Sequence, residues 1–512
     1  VERHFMDTIE GGKWLPDQDM AWRLCETAVT RIRELENEIG CFFDRNPDGS
    51  IHQKAFAGQT FDRTVHKGDL TGIEIISRLM EKVLSKPVEK LSEHRAIALI
   101  PTRDKAQLAA VLFIDMRLGI FRLVKAKAVL MATGGGPTMY RYHTPSGDKS
   151  MDGLAMALRA GLPLRDMEMV QFHPTGLLAG EGTRMTGTVL EEGLRGAGGH
   201  LLNGNGERFM FDYDTRGERA TRDIVSRAIY DEMRKGKTSP HGGVYISMAH
   251  LGPDTVAEKF KGMVKRCADC GFDLAGGKVE VVPTAHYFMG GVVVDTDTRT
   301  VLPGLYVAGE DAGGAHGSNR LGGNGVANST VYGGIAGDVM ARDINLETAF
   351  AEPDRETVFA EIERAVVPFS KPPAPVHALR RELTEVMWEQ VGVMRTAPQL
   401  EAGLEEIATL SANLGEVGVS GDQPAFNITW HDWLNLRSLL DVSDVITRAA
   451  LQRENSRGAH YREDFPDQGD LKSSYFTVAR RKDEGIDVTR EPVAFTIVRP
   501  GETLLDKTEA AQ

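Results

Sequence analysis

Residues 128–136 read AVLMATGGG and residues 302–311 read LPGLYVAGED. Each is a short apolar run that turns abruptly into glycine. A buried strand feeding a glycine turn is how an open α/β sheet brings its backbone against a ligand at the strand ends. Glycine is concentrated around both turns: 38 of the chain's 55 glycines lie within residues 131–340. They follow no collagen-like period. Val, Leu, Met and His are interleaved among them, so the stretch is not low-complexity. Dense glycine in a folded chain means tight turns and close backbone approach, and a large ligand is the simplest cause.

The text around this region has distinct zones. Residues 1–19 read as a helix ending at Gly11-Gly12, entered in mid-element at Val1. Residues 20–39 form an amphipathic helix (Trp22, Leu24, Ala28, Ile32, Leu35), and 71–85 repeat the pattern. From 95 to 132 the period shortens, and IALIP, LAAVLFID and IFRLVK read as strands. Residues 167–290 are polar, glycine-rich and dense in His, Arg and Glu. That composition suits an inserted or second domain supplying side-chain chemistry. After the turn at 309, VANSTVYGGIAGDVM reads as a helix. Residues 355–455 are helical, with KPPAPV at 371–376 as a hinge; from 466 the tail mixes strand and loop.

The 512 residues allow several domains and a large core. A net charge of −13 argues against a phosphate-backbone partner, which requires a basic face. No apolar run reaches the roughly 18 residues of a membrane span, and no signal peptide opens the chain. Cys25, Cys41, Cys267 and Cys270 are too few for a disulfide scaffold or a ferredoxin-like cluster. CADC at 267–270, without a second pair, reads as two ordinary thiols. No complete GxGxxG occurs, so either no dinucleotide binds or its first βαβ unit precedes Val1.

Five segments in order decide between these readings. They are QFHPTG at 171–176, EEGLRG at 191–196, TRDIVSRAI at 221–229, PTAHY at 283–287, and GE at 309–310 followed by HGSNRLG at 316–322. Together they resemble the flavoprotein subunits of succinate dehydrogenase and fumarate reductase, with L-aspartate oxidase a near relative. SRGAHYREDFP at 456–466 extends the likeness over nearly the whole chain. The resemblance implies FAD, and roughly 60 further residues before Val1 carrying the GxGxxG. It implies an α/β fold with a Rossmann-like FAD-binding domain (1–166 and 289–345), an inserted α+β capping domain (167–288), a helical domain (346–465) and a mixed C-terminal segment (466–512). Implied partners are a dicarboxylate, an iron–sulfur subunit, and through that partner a membrane anchor. The implied location is the cytoplasm, at the cytoplasmic face of the inner membrane.

The reaction so implied is hydride transfer between flavin and one carbon of a dicarboxylate, with proton transfer at the next carbon. Arg320 is the expected carboxylate clamp, since its fork matches a carboxylate bidentately. His173 and His286 are the expected imidazole donors, and Phe56 an aromatic wall. Arg222 matches the family's proton donor. Guanidinium rarely releases a proton, and the resemblance answers this with a relay through Glu192 and Arg195. On the cofactor side the matching positions are Ala132, Thr133, Gly134, Gly135, Asp152, Glu310, Asn324, Gly325 and Val326. The last three open a helix whose N-terminal amides and dipole would favour an anionic reduced flavin.

Two positions depart from the family pattern. Glu191 stands where the family has a hydroxyl residue that donates to a substrate carboxylate. Gly325 stands where it has Ser. Ionised, Glu191 would repel a carboxylate, so it is expected to be protonated, to turn aside, or to meet a different substrate. The competing expectations are a stand-alone flavin oxidase or reductase on a related acid, such as L-aspartate oxidase, and a chain that does not work as an enzyme in this form.

Overall fold

Helix α1 (Glu2–Gly11) leads through a tight turn into α2 (Gln18–Asn37), where Asp17 caps the first turn by accepting from the Met20 N–H. The computed structural model describes residues 1–505 apart from 57, 69, 181, 483 and 484. A small hairpin follows, β1 (Gln53–Lys54) against β2 (Thr64–Val65), and then α3 (Thr71–Leu84). The three apolar runs after residue 95 become an antiparallel meander of β3 (His94–Pro101), β4 (Leu108–Asp115) and β5 (Ile120–Lys125).

The two opening segments meet. Strand β6 is Val129–Met131 and pairs in parallel with residues Leu305–Val307, with Val129 opposite Leu305 and Met131 opposite Val307. Parallel pairing sends both glycine turns out at the same end of the sheet. Helix α4 (Asp152–Arg159) starts beside the first turn, so closely that a Cβ on Gly153 would lie 2.0 Å from Thr133 Oγ1.

Beyond α4 come β7 (Leu164–Arg165), β8 (Val170–Leu177), the single-turn α5 (Gly193–Gly196), β9 (His200–Leu202), α6 (Arg222–Arg234) and β10 (Val244–Ser247). Helices α7 (Pro253–Lys259) and α8 (Lys261–Ala268) precede the long β11 (Lys278–Phe288) and then β12 (Gly291–Val292). Strands β8, β11, β10 and β9 form one antiparallel sheet. Its own core includes Leu194, Leu201, Val244, Ile246 and Val279. Cys267 is buried in that core, and neither it nor Cys270 forms a disulfide.

Leu305–Val307 is β13, followed by α9 (Asn324–Asp343). Helices α10 (Arg355–Val366), α11 (Val376–Gln390), α12 (Ala397–Glu416) and α13 (Ile428–Gln452) pack with the main core. The C-terminal hairpin, β14 (Tyr475–Lys482) and β15 (Gly485–Pro492), extends the β12–β7 pair into a four-stranded sheet. The mixed α/β architecture and helical C-terminal half match the sequence expectation. Helix α3 is the exception to its pattern. Among its apolar residues only Ile75 is buried, whereas Ile73, Ile76, Met80 and Leu84 are exposed, because no described element covers that face.

The residues leading into β8 are held by a buried ionic knot. Arg453, just after α13, donates from Nε to Glu168 Oε1 at 2.5 Å and from Nη2 to Asp166 Oδ1 at 3.1 Å. Thr477 on β14 donates its amide to Asp166 and its hydroxyl to Glu168. Burial pushes the Asp166 carboxyl up despite Arg453. Arg453→Met should therefore leave two buried carboxylates without their cation and cost about 3–5 kcal/mol, read as a lowered urea midpoint.

Candidate active site

Strands β8 and β11 supply facing histidines. Thr284 is paired with His173 and Ala285 with Phe172, and the register shifts between Ala285 and Tyr287. The residue at that irregularity is His286. A bulge re-aims a side chain that strict alternation would place elsewhere. The rings of His173 and His286 lie 5.5 Å apart and edge-on. His286 Nδ1 is 2.9 Å from Thr144 Oγ1, so Nε2 is the nitrogen available to a ligand. His173 Nδ1 accepts from the Thr175 N–H at 3.3 Å, which places the proton of the neutral ring on Nε2. Burial holds both rings well below the ordinary histidine value; Arg222 is the next cause at His173, and Arg320 followed by Arg222 at His286. At neutral pH they act as uncharged donors and acceptors.

Arg222 is the first residue of α6. Its Nε and Nη2 donate to Glu192 Oε2 at 3.1 and 2.6 Å. A cation at a helix N-terminus sits against the helix field, so Glu192 is needed to hold it there. The other oxygen of Glu192 accepts from Arg195 Nη2 at 3.1 Å, and Arg195 Nη1 donates to the carbonyl of Glu218 at 2.8 Å. Burial alone would push Glu192 up. Arg222 and Arg195 outweigh it and bring its pKa down to about 2. The structure thus joins Arg222, Glu192 and Arg195 in one buried chain.

Arg320 approaches from the other side. Its Nη2 and the Nη1 of Arg222 both donate to Gln171 Oε1, each at 3.0 Å. Gln171 fixes its own amide by donating to the Arg320 carbonyl at 2.8 Å. Arg320 also lies 4.5 Å from the Tyr287 ring centre, and its Nε has no acceptor among the described residues. Burial and the nearby Arg222 lower its pKa to about 10. Sequence reasoning assigns no role to Gln171 or Tyr287, although both lie inside the quoted motifs. Thr144 lies outside them, and no sequence signal marks it.

Glu191, next to Glu192 in the chain, and Phe56 face an open space. Both line a cavity of about 760 Å³, together with Gly322, Asn324 and Val326. Phe56 packs on Gly322, where a Cβ would come within 2.8 Å of the Phe56 Cβ.

The remaining positions surround the two glycine turns. Ala132 follows β6, and Thr133 Oγ1 and the Gly134 N–H both donate to Asp311. Gly134 has φ +75°, and a Cβ on Gly135 would lie 2.1 Å from Glu310 Oε1, so any side chain there would displace the Glu310 carboxylate. Burial raises Glu310 to about 7 and Asp311 to about 6. Asn324 is bonded to His4 and Thr8 of α1. Gly325 and Val326 occupy the first turn of α9, where amides have no intrahelical acceptor. Asp152 instead turns to Arg95 at 3.0 Å and Ser150 at 2.5 Å.

Comparison with known proteins gives this geometry a family. An FAD binding domain family matches residues 1–326, and a fumarate reductase flavoprotein C-terminal family matches 380–504. The chain is 41% identical to a component of the fumarate reductase (CoM/CoB) of Methanothermobacter marburgensis, over 91% of this chain and 83% of that one. It is 33% identical to the Escherichia coli fumarate reductase flavoprotein subunit, over 100% and 88%. The chain belongs to the succinate dehydrogenase and fumarate reductase flavoprotein family. Among solved structures, the FrdA flavoprotein of E. coli quinol fumarate reductase superposes with a TM-score of 0.90 at 31% identity, covering 98% of this chain and 88% of that one. A quinol–fumarate reductase with menaquinol molecules gives 0.88 at 31%, covering 98% and 89%.

The protein is therefore an FAD-dependent oxidoreductase of this type. The residues present fit the cofactor. A turn that excludes a Cβ, two buried carboxylates as acceptors, and a helix N-terminus at an open cavity are what a ribityl chain and a flavin edge require. Gly135→Ala drives a methyl group into Glu310. The purified variant should carry less than about a tenth of the wild-type FAD per chain, read from the visible flavin absorbance.

Proposed function

We propose that this flavoprotein interconverts fumarate and succinate, or a close dicarboxylate, with Arg222, Glu192 and Arg195 as its proton relay. One observation carries the reading. Three buried guanidiniums, Arg195, Arg222 and Arg320, face a single ionised carboxylate, Glu192, beside two uncharged histidines. The cluster holds an excess of two positive charges, the complement of a dicarboxylate dianion. When bound, FAD supplies the hydride or accepts it.

This chain's own residues do the rest. Arg320 clamps one carboxylate through the donors that Gln171 leaves to it. His173 and His286 hydrogen-bond the substrate from the β8–β11 face, and Phe56 walls the cavity side. In the reducing direction, Arg222 delivers a proton to the carbon next to the one that receives hydride. Ionised Glu192 then takes a proton from Arg195 and hands it on to the deprotonated Arg222, and Arg195 takes its own replacement from solvent. Fumarate plus hydride plus proton gives succinate, so the step balances. Ala132, Thr133, Gly134, Gly135, Glu310, Asn324, Gly325 and Val326 hold the cofactor, with Asp152 supporting the α4 end of the same cradle.

Electrons are exchanged with a separate iron–sulfur protein on a membrane anchor, which would hold the chain at the cytoplasmic face of the membrane. One observation supports this: a solved relative is a quinol–fumarate reductase with menaquinol molecules.

Glu192→Gln keeps the shape but cannot carry a proton. Fumarate reduction with an artificial donor should fall about 10²–10⁴-fold in kcat, with KM changed far less. Glu191→Thr replaces a carboxylate facing the cavity with a hydroxyl donor. It should raise kcat/KM on fumarate or succinate, and an unchanged or lower value would show that Glu191 does not set specificity.

A further inference from the structure

The hairpin that carries Phe56 is held by very little backbone. Its ladder has two pairs, Gln53 with Val65 and Lys54 with Thr64. The next pair down is His52 opposite His66. His52 Nδ1 lies 2.6 Å from His66 Nε2, and the rings meet edge-on at 4.9 Å. The other nitrogen of His66, Nδ1, is 3.2 Å from Asp44 Oδ2. Backbone bonds tie the same three residues together. The Asp44 N–H donates to the His66 carbonyl at 2.9 Å, and the His52 N–H to the Asp44 carbonyl at 2.8 Å.

The tip of the hairpin reaches the site. Phe56 packs on Gly322, and Gln59 Nε2 donates to the Gly322 carbonyl at 3.0 Å. Thr60 and Arg63 both engage Asp7 of α1. Gly322 lies two residues beyond Arg320 and directly before the turn into α9. Whatever fixes the base of the hairpin therefore fixes the aromatic wall and the segment between clamp and flavin edge.

We propose that His52 and His66 are positioning residues, a pH-sensitive latch whose shared hydrogen bond closes the hairpin over the site and whose double protonation opens it. A nitrogen–nitrogen contact of 2.6 Å needs one N–H and one lone pair. With both rings charged, two N–H groups point at each other and the contact becomes repulsive. The charged groups around the pair do not rescue it. Lys54 on the hairpin and Lys67 beyond it are positive, and Asp44 alone is negative; Lys67 already draws on Asp44 at 3.5 Å. On the packed helices, Glu36 of α2 is taken by Arg45, and Glu74 of α3 by Arg78 and the Phe42 N–H. Burial first, then Lys54, holds His66 below its ordinary value, while Asp44 acts the other way.

The sign follows from linkage. The closed hairpin binds a proton on His66 less readily than the open one. Closure is therefore fully favoured above the ordinary histidine value, about 6.5, and weakens as pH falls below it. His52→Gln separates this from mere packing. A glutamine amide donates to neutral His66, and by turning it accepts from protonated His66, so the latch stays shut in acid.

The test is hydrogen–deuterium exchange of residues 43–68 in the FAD-loaded protein, corrected for the intrinsic pH dependence of exchange, at about pH 7.5 and pH 5.5. In the wild type, exchange at Asp44 and His52 should quicken about tenfold or more on acidification; in His52→Gln it should stay constant. Fumarate KM should rise over the same interval in the wild type only, with kcat changing less. The exchange measurement does not depend on the proposed substrate, so its result stands even if fumarate proves to be the wrong acid. Equal acid sensitivity in wild type and His52→Gln, or no quickening in the wild type, overturns the proposal.

Discussion

Burying guanidinium groups is the constraint around which this chain is arranged. Arg195, Arg222 and Arg320 are all nearly inaccessible, and each needs fixed acceptors, because taking an ion out of water costs several kcal/mol. Glu192 answers two of them at once. Gln171 answers two from the other side with a single carbonyl oxygen. The Glu218 and Leu321 carbonyls take further donors. A second buried set, Arg395, Arg453 and Arg462, repeats the solution with main-chain carbonyls and the Asp166–Glu168 pair. The acceptors of the first set come from β8 (Gln171), the residue before α5 (Glu192), the segment before α6 (Glu218) and the segment before α9 (Leu321). The arginines therefore hold in place the elements that converge on the site.

The same cations set the chemistry of their neighbours. They hold Glu192 ionised in a place where burial alone would neutralise it. Together with burial they keep His173 and His286 uncharged, so those rings add hydrogen bonds without adding charge. The result is a buried cluster in which guanidinium groups outnumber the carboxylate that holds them. Toward the glycine turns the field changes character. Glu310 and Asp311 are pushed upward and do not pair with a cation, which suits contact with hydroxyl-bearing parts of a cofactor. The arginine cluster and the glycine turns thus differ in charge as well as in position.

Much of this is legible in the sequence. The apolar runs ending in glycine announce β6 and β13, and helical periodicity announces α2 and α13. Arg222, Glu192 and Arg195 can be named from their motifs. Other features are hidden because their cause is spatial. Gln171 looks like an ordinary polar residue beside a histidine; its importance comes from two arginines that lie 51 and 149 positions away. Thr144 matters only because its segment bridges in parallel onto β11 at Ala285, which brings it to His286. His52 and His66 are unremarkable polar residues until a two-pair hairpin sets them face to face. Helix α3 carries an amphipathic pattern, but periodicity says which side of a helix is apolar and nothing about whether a partner covers it.

The sequence by itself determined the class of fold, the flavin chemistry and the residue types gathered at the candidate site. Those depend on local matters: side-chain period, backbone freedom at glycine, and which groups can donate, accept or carry charge. Only the tertiary structure decided how the charges balance. Whether a carboxylate is ionised or a histidine neutral depends on what lies within a few ångströms and on how much water is excluded, and long-range packing settles both.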